Sequence, residues 1–467
     1  MAKRQFITIT YYFNKRSTEL RLRLIDQIRK TLMKKNKRKI NVVTLGCSKN
    51  IVDSEVLLKQ LDFDGWEVVH DSNDISAKVV VINTCGFIAD AKEESTDTIL
   101  RFVNAKNQGV IDRVYVMGCL SQRYKDDLVK EIPEVDGFYG VTDLPEILKD
   151  LKSNYSEVVA NNRILLTPNH YAYLKISEGC NWGCGYCAIP LIRGKHISRS
   201  IESLIDEATK IAQEGVKELL IIAQDTTYYG LDLYGKRMLP ELINKLSEIN
   251  GIEWIRIHYA YPSSFPVPLI DVIRNNPKVC KYIDIPFQHI SDRMLKIMRR
   301  GLTKEETIAL VKDLRDSIPD IAIRTTFLVG HPGETEKDFN ELVDFVRSSE
   351  FDRVGVFTYS EEEGTYSANN FPDKISRTVK KHRFEKLMEV QREVSLNNNS
   401  KRVGKVYKII VDRFEDEYVV GRTEYDSPEV DQEVMAKFDN KKKIAIGDFI
   451  SVKITSCDDY DLMGEVN

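Results

Sequence analysis

The sequence contains no run of about 18 uninterrupted apolar residues, so no segment has the length to cross a bilayer as a helix. Cysteine is scarce as well. Eight cysteines scattered over more than 400 positions are too sparse for a disulfide scaffold. No secretory signal is recognisable, which points to the reducing cytoplasm, where cysteines serve as metal ligands or buried fillers. The formal net charge is only −3, but that figure hides an asymmetry. Residues 1–39 hold 13 Lys or Arg against Glu19 and Asp26 alone, leaving 55 basic and 69 acidic residues for the rest. The body therefore lacks the charge of a general polyanion binder. The basic extension reads first as upstream sequence translated from too early a start, since Met33 stands just before the first expected strand. A nucleic-acid arm and an Arg-rich transit peptide remain open.

What is present fits a globular protein of several domains, because 467 residues exceed what one core serves. Three β-branched runs each end in a cysteine: INVVTLGC at 40–47, AKVVVINTC at 77–85 and DRVYVMGC at 112–119. Helical patterns such as SEVLLKQLDF and AKEESTDTILRFVNA separate them, which predicts a doubly wound parallel α/β sheet over residues 40–167. In such a sheet all strand C-termini open on one edge, so topology gathers Cys47, Cys85 and Cys119. Each alone reads as a small buried residue at a strand end. Three at equivalent positions point to iron–sulfur ligation.

After a polar connector, strand-like segments recur at YAYLKI, KELLIIAQ, WIRIHYAY, KYIDIPFQ, IAIRTTFLVG and RVGVFTYS, with helical stretches between several of them. Six such repeats over residues 168–396 predict a partial (βα)6 barrel whose site lies at the C-terminal ends of its strands. The first of these ends leads into CNWGCGYC, which spaces Cys180, Cys184 and Cys187 as C-x3-C-x2-C with Tyr186 before the third. Three thiolates on a four-iron cubane leave one iron open to a small chelating molecule. A structural zinc site closed by a fourth ligand such as His196 is the alternative.

With these residues in view, the chain resembles the radical S-adenosylmethionine superfamily, whose defining loop has this spacing. Over about residues 40–467, the order of a three-cysteine domain, a radical SAM barrel and a short C-terminal β domain resembles the methylthiotransferases. NTCGFIADAKEESTDTIL, AQDTTYYG, DIPFQHISDRMLKIMRRG, RTTFLVGHPGETEKDF and FDRVGVFTYSEEEGT are similar to the branch that modifies an aspartate of small-subunit ribosomal protein S-twelve. The branch that modifies tRNA adenosine is the nearest competitor. An iron–sulfur scaffold or electron carrier is the remote one.

The resemblance implies two 4Fe-4S clusters and S-adenosylmethionine as cofactors. The cluster at Cys180, Cys184 and Cys187 would take an electron from a flavodoxin or ferredoxin and cleave S-adenosylmethionine. The resulting 5′-deoxyadenosyl radical would remove hydrogen from the aspartate β-carbon, and the cluster at Cys47, Cys85 and Cys119 would deliver a methylated sulfur. No general base is needed, so no catalytic group is expected beyond the clusters. The same resemblance implies cofactor contacts at Tyr186, Gln224, Asp225, Gln288 and Arg324, each of which reads equally well as a structural hydrogen-bonding group. VGHPGE at 329–334 looks like the family's glycine-containing turn, with His331 in place of an aromatic and read as packing. Cys280 and Cys457 match no cluster spacing.

A long helix over SRTVKKHRFEKLMEVQREVSLNNNS leads to KVYKIIVDRF, EYVVGRT and FISVKITSC, strands of a small β-barrel over 397–467 that resembles the TRAM domain. Residues 400–467 hold 11 Lys or Arg and 15 Asp or Glu, an unfavourable balance for tRNA. Its acidic stretch, with Asp426, Glu429, Asp431 and Glu433, is expected to dock a strongly basic ribosomal protein, free or in the assembled subunit. An ordinary solvated acidic face is the plainer alternative.

Overall fold

The computed structural model describes residues 38–72, 76–438 and 443–467. All but the last two residues of the basic extension lie outside the described residues, and so do its three readings. The chain forms two compact units. The first comprises residues up to Leu45, Asp53–Thr84 and Glu94–Ile164, and the second Gly46–Val52, Cys85–Glu93 and Leu165–Asn467.

In the first unit, β1 (Lys39–Thr44), β2 (Glu67–His70), β3 (Val79–Thr84), β4 (Arg113–Gly118) and β5 (Gly137–Phe138) form one parallel sheet in the order 2-1-3-4-5. The interior strands β3 and β4 carry the apolar runs VVVI and VYVM because both faces are covered. Val80, Ile82, Val114 and Val116 pack with Ile99, Val103 and Leu120 of the flanking helices. β2 and β5 escaped the sequence reading. The first is a short, half-exposed edge strand and the second has two residues. At the end of β4, Gly118 adopts φ +102°, and a Cβ there would lie 2.4 Å from Asn83 Oδ1. Only glycine lets the chain turn there into Cys119.

In the second unit, β6 (Tyr171–Lys175) is followed by a ribbon of β7 (Ser177–Glu178) and β8 (Ile197–Ser198). β9 (Glu218–Ile222), β10 (Trp254–Ile257), β11 (Val279–Asp284), β12 (Ala322–Val329) and β13 (Arg353–Thr358) then complete an open six-stranded parallel sheet in the order 13-12-11-10-9-6. This is the partial barrel read from the sequence. Alternation sorts the side chains. Leu219 and Ile221 join the large core with Leu204, Ala208 and Ile211 of the helix Ile201–Gln213, while Leu220 and Ile222 pack on the other face with Tyr171, Tyr173 and Val52. Capping boxes at Thr303 and Thr335 start two of the outer helices. The helix Arg377–Ser400 leads to a closed barrel of β14 (Val406–Glu415), β15 (Tyr418–Thr423), β16 (Val434–Lys437), β17 (Phe449–Cys457) and β18 (Leu462–Val466).

Two of the four carboxylates expected to dock a partner, Asp426 and Asp431, have their side chains buried against the parallel sheet, while Glu429 is exposed and Glu433 half-exposed beside Arg413. Asp426 is wholly buried and pairs with Arg353. Asp431 meets Arg324 at 3.3 Å and accepts from the Tyr282 hydroxyl at 2.8 Å, and Glu429 accepts from Tyr171 and Tyr173 at 2.9 and 3.3 Å. Beside them Arg422 bridges Glu218 at 2.9 Å and Asp412 at 2.8 Å, and Arg256 meets Glu218 from the other side at 2.8 Å. Burial alone would raise the Asp426 carboxyl, but the Arg353 and Arg402 cations hold it below its ordinary value. The acidity thus answers arginines of the parallel sheet. Composition reported the carboxylates without their partners.

Replacing Arg422 by Met is expected to lower stability by about 3–5 kcal/mol, because Glu218 and Asp412 are left buried without their shared cation. Arg413→Met, whose partners Glu415 and Glu433 are half-exposed, is expected to cost about 1 kcal/mol or less. Urea denaturation with limited proteolysis of the C-terminal barrel distinguishes the two.

Candidate active site

The loop bearing Cys180, Cys184 and Cys187 leaves β7 and is held at several points. Cys180 N donates to Gly194 O at 3.1 Å, and Cys187 N donates to Cys184 O at 3.1 Å, closing a tight turn. Gly185 donates to Met298 O at 2.8 Å and accepts from Ser367 N at 2.7 Å, so two other loops clamp its backbone. Trp182 stacks on Tyr261 with ring centroids 4.1 Å apart and donates from Nε1 to Asp225 Oδ2 at 2.6 Å.

Arg300 is the cation of the site. Its Nη1 lies 3.2 Å from Cys184 Sγ and 3.4 Å from the Tyr186 hydroxyl, its Nη2 donates to Pro286 O, and its buried Nε has no acceptor. The Tyr261 hydroxyl also approaches Cys184 Sγ, at 3.4 Å. Burial pushes the Cys180 and Cys187 thiols up to about 12, so without metal they stay protonated. Three unbridged thiols on one loop beside a buried cation suit a polyanionic cluster of thiolates. A zinc site would need a fourth ligand, and His196 is engaged elsewhere. His196 lies against Ser198 Oγ at 3.1 Å and packs on Tyr228.

The five residues named as cofactor contacts stand in different situations. Gln224 follows β9, and its Nε2 donates to Glu178 at 2.9 Å while its Oε1 is buried without a donor. Such an orphaned acceptor is what a bound amine or hydroxyl would satisfy. Gln288 is held at φ +72° by backbone bonds of 2.8 Å to Thr326 and Leu328. Tyr186 packs on Met294, Met298, Leu328 and Tyr359. Asp225 spends one oxygen on Trp182 and the other on Thr227 N and Oγ1, at 2.8 and 2.6 Å, and so fixes the loop. Arg324 sits third in β12, paired with Asp284 at 3.1 Å and with Asp431. His331 is fully buried. Burial lowers it to about 4, so it is neutral, donating from Nδ1 to Pro332 O and accepting at Nε2 from Ser367. Arg300 and Tyr261 went unnoticed because nothing in MRRG or HYAY marks one residue as facing a cysteine.

The other cysteines follow strand ends. Register pairs Thr84 with Gly118, the residues just before Cys85 and Cys119. In the second unit Gly46 has φ +91°, and a Cβ there would stand 2.7 Å from Cys85 Cβ and 3.1 Å from its Sγ. Cys47, the next residue, opens a helix, its carbonyl accepting from Asn50 N and Ile51 N at 2.9 and 3.2 Å.

Three family descriptions match in order: Uncharacterized protein family UPF0004 over residues 39–140, the Radical SAM superfamily over 174–346 and the TRAM domain over 403–466. The chain is 52% identical over 430 residues to the ribosomal protein uS12 methylthiotransferase RimO of Bacteroides thetaiotaomicron, covering 92% of this chain and 98% of that one. It is 53% identical over 430 residues to the protein of the same name from Cytophaga hutchinsonii, with the same coverage. The chain belongs to the ribosomal protein uS12 methylthiotransferase family. Among solved structures, a radical S-adenosylmethionine methyltransferase, TsrM, from Kitasatospora setae superposes with a TM-score of 0.53 at 15% identity, covering 71% of this chain and 77% of that one. That likeness concerns the fold alone. As a radical SAM methylthiotransferase the protein works with S-adenosylmethionine and 4Fe-4S clusters.

Gly46→Ala is expected to displace Cys85, because the new methyl group collides with its Cβ from a backbone conformation that disfavours any side chain. In anaerobically reconstituted protein the iron content is expected to fall by about half. Iron and sulfide analysis checks it.

Proposed function

We propose that the protein inserts a methylthio group at the β-carbon of an aspartate in ribosomal protein uS12, with Cys180, Cys184 and Cys187 holding one cluster and Cys47, Cys85 and Cys119 the other. The observation that carries this reading is identity above 50% across 92% of the chain to uS12 methylthiotransferases, joined to a clamped loop of three thiols. When bound, the first cluster and S-adenosylmethionine supply one-electron hydrogen abstraction from carbon, and the second cluster supplies the sulfur.

The chain's own residues bind and orient. Arg300, itself buried, donates toward Cys184 and balances thiolate charge. Trp182 and Asp225 keep the loop in one conformation. Gln224 offers its unpartnered Oε1 to a cofactor donor, with Gln288 beside the same strand ends. A flavodoxin or ferredoxin in the cytoplasm is the electron source. The charge argument against the tRNA alternative is weakened, since Asp426 and Asp431 are internal. What favours the ribosomal protein is the family match.

Mass spectrometry of uS12 and of tRNA from a deletion strain tests substrate choice, with loss of the +46 Da methylthio group expected on uS12 alone. A tRNA-only loss transfers the assignment. Cys184→Ala is expected to abolish 5′-deoxyadenosine release. Joint replacement of Cys47, Cys85 and Cys119 by Ala should preserve release and end methylthiolation. A triple variant that still modifies uS12 would refute the second ligand set.

A further inference from the structure

Two short segments carry cysteines out of the sheet unit, and both belong to the compact unit of the partial barrel: Gly46–Val52 with Cys47 and Cys85–Glu93 with Cys85. Each is tied to the barrel by a polar contact. Asn50, fully buried and three residues after Cys47, accepts from Arg193 Nη2 at 2.7 Å. The other arm of the same guanidinium donates from Nη1 to Glu178 at 2.9 Å, two residues before Cys180. Lys49 lies 3.0 Å from the Tyr259 ring centroid, and Ile51 and Val52 pack with Tyr171, Tyr173, Leu220 and Ile222. Lys92, in the second segment, meets Glu362 at 3.2 Å.

We propose that Arg193 is a positioning residue, a strut that holds the segment carrying Cys47 at a fixed separation from the loop carrying Cys180. The inference rests on the two-cluster reading above. A planar guanidinium with both arms engaged fixes two acceptors in one plane, which a flexible ammonium does not. Arg193 is buried, so solvent does not loosen the link, and Glu178 is kept in place by Lys175 at 2.7 Å from the opposite side. Sulfur must reach a short-lived carbon radical before that radical is quenched, so the separation of the two cysteine-bearing loops governs how often radical formation ends in transfer. A displacement of the order of 1 Å is enough to cost about a hundredfold in a step of this kind.

The test uses full-length, doubly reconstituted enzyme with Asn50→Leu, which removes the acceptor yet keeps the volume, and Asn50→Asp, which keeps an oxygen for Arg193. Lys92→Gln releases the other segment without touching Asn50. Asn50→Leu is expected to retain iron and 5′-deoxyadenosine formation while methylthio groups transferred per 5′-deoxyadenosine fall by about tenfold or more. Asn50→Asp should keep the parent ratio, and Lys92→Gln should lower it. In cluster-free Asn50→Leu, hydrogen–deuterium exchange in residues 46–52 should accelerate. A parent ratio in Asn50→Leu, or unchanged exchange, overturns the proposal, as does loss of iron from Asn50→Leu. Should the parent enzyme transfer no methylthio group to uS12, the functional reading fails on its own and the exchange experiment still decides the strut.

Discussion

Parallel pairing makes every strand finish on the same edge of its sheet, and both sets of cysteines depend on that constraint. In the first unit it pairs Thr84 with Gly118, the residues that precede Cys85 and Cys119 in the chain. In the second it gathers the loop of Cys180, the turn with Gln224 and the Gln288 bridge at the ends of β6 to β12. A parallel sheet also needs crossovers, and these supply the helices that cover its outer face with aliphatic side chains.

The inner face of the partial barrel is filled differently. Its lower part holds Glu218, Arg256 and Arg324, charges that stay buried because the C-terminal barrel contributes Arg422, Asp412 and Asp431 to meet them. Buried ion pairs of this kind add little net stability over apolar packing. Their effect is on specificity, since a C-terminal barrel seated in another register would leave arginines and carboxylates unpaired. Apolar contacts of Trp254, Cys280 and Tyr282 with Ile410 and Phe449 supply the burial around them. A domain that composition marks as acidic is therefore joined to the catalytic barrel by that acidity.

Around the loop of Cys180, Cys184 and Cys187, hydrogen bonds and stacking restrain a stretch with two glycines. Trp182 is the hinge of this arrangement, gripped by Tyr261 on its face and Asp225 at its edge. Arg300 then sets its guanidinium against Cys184 Sγ. Hydrogen bonds to cluster sulfurs and nearby charge are among the levers that set iron–sulfur reduction potentials.

By itself the sequence determined the periodicities and the spacings. Six strands of the partial barrel, three cysteine-terminated strands and the C-x3-C-x2-C loop were all legible, because alternation and short-range spacing are written along the chain. Tertiary structure alone decided which charges meet: Asp426 and Asp431 looked like a surface until Arg353 of β13 and Arg324 of β12 were seen to pair with them. Arg300 and Tyr261 join Cys184 across 116 and 77 residues. A contact between side chains that distant depends on how whole elements pack, and a single sequence carries no local trace of it.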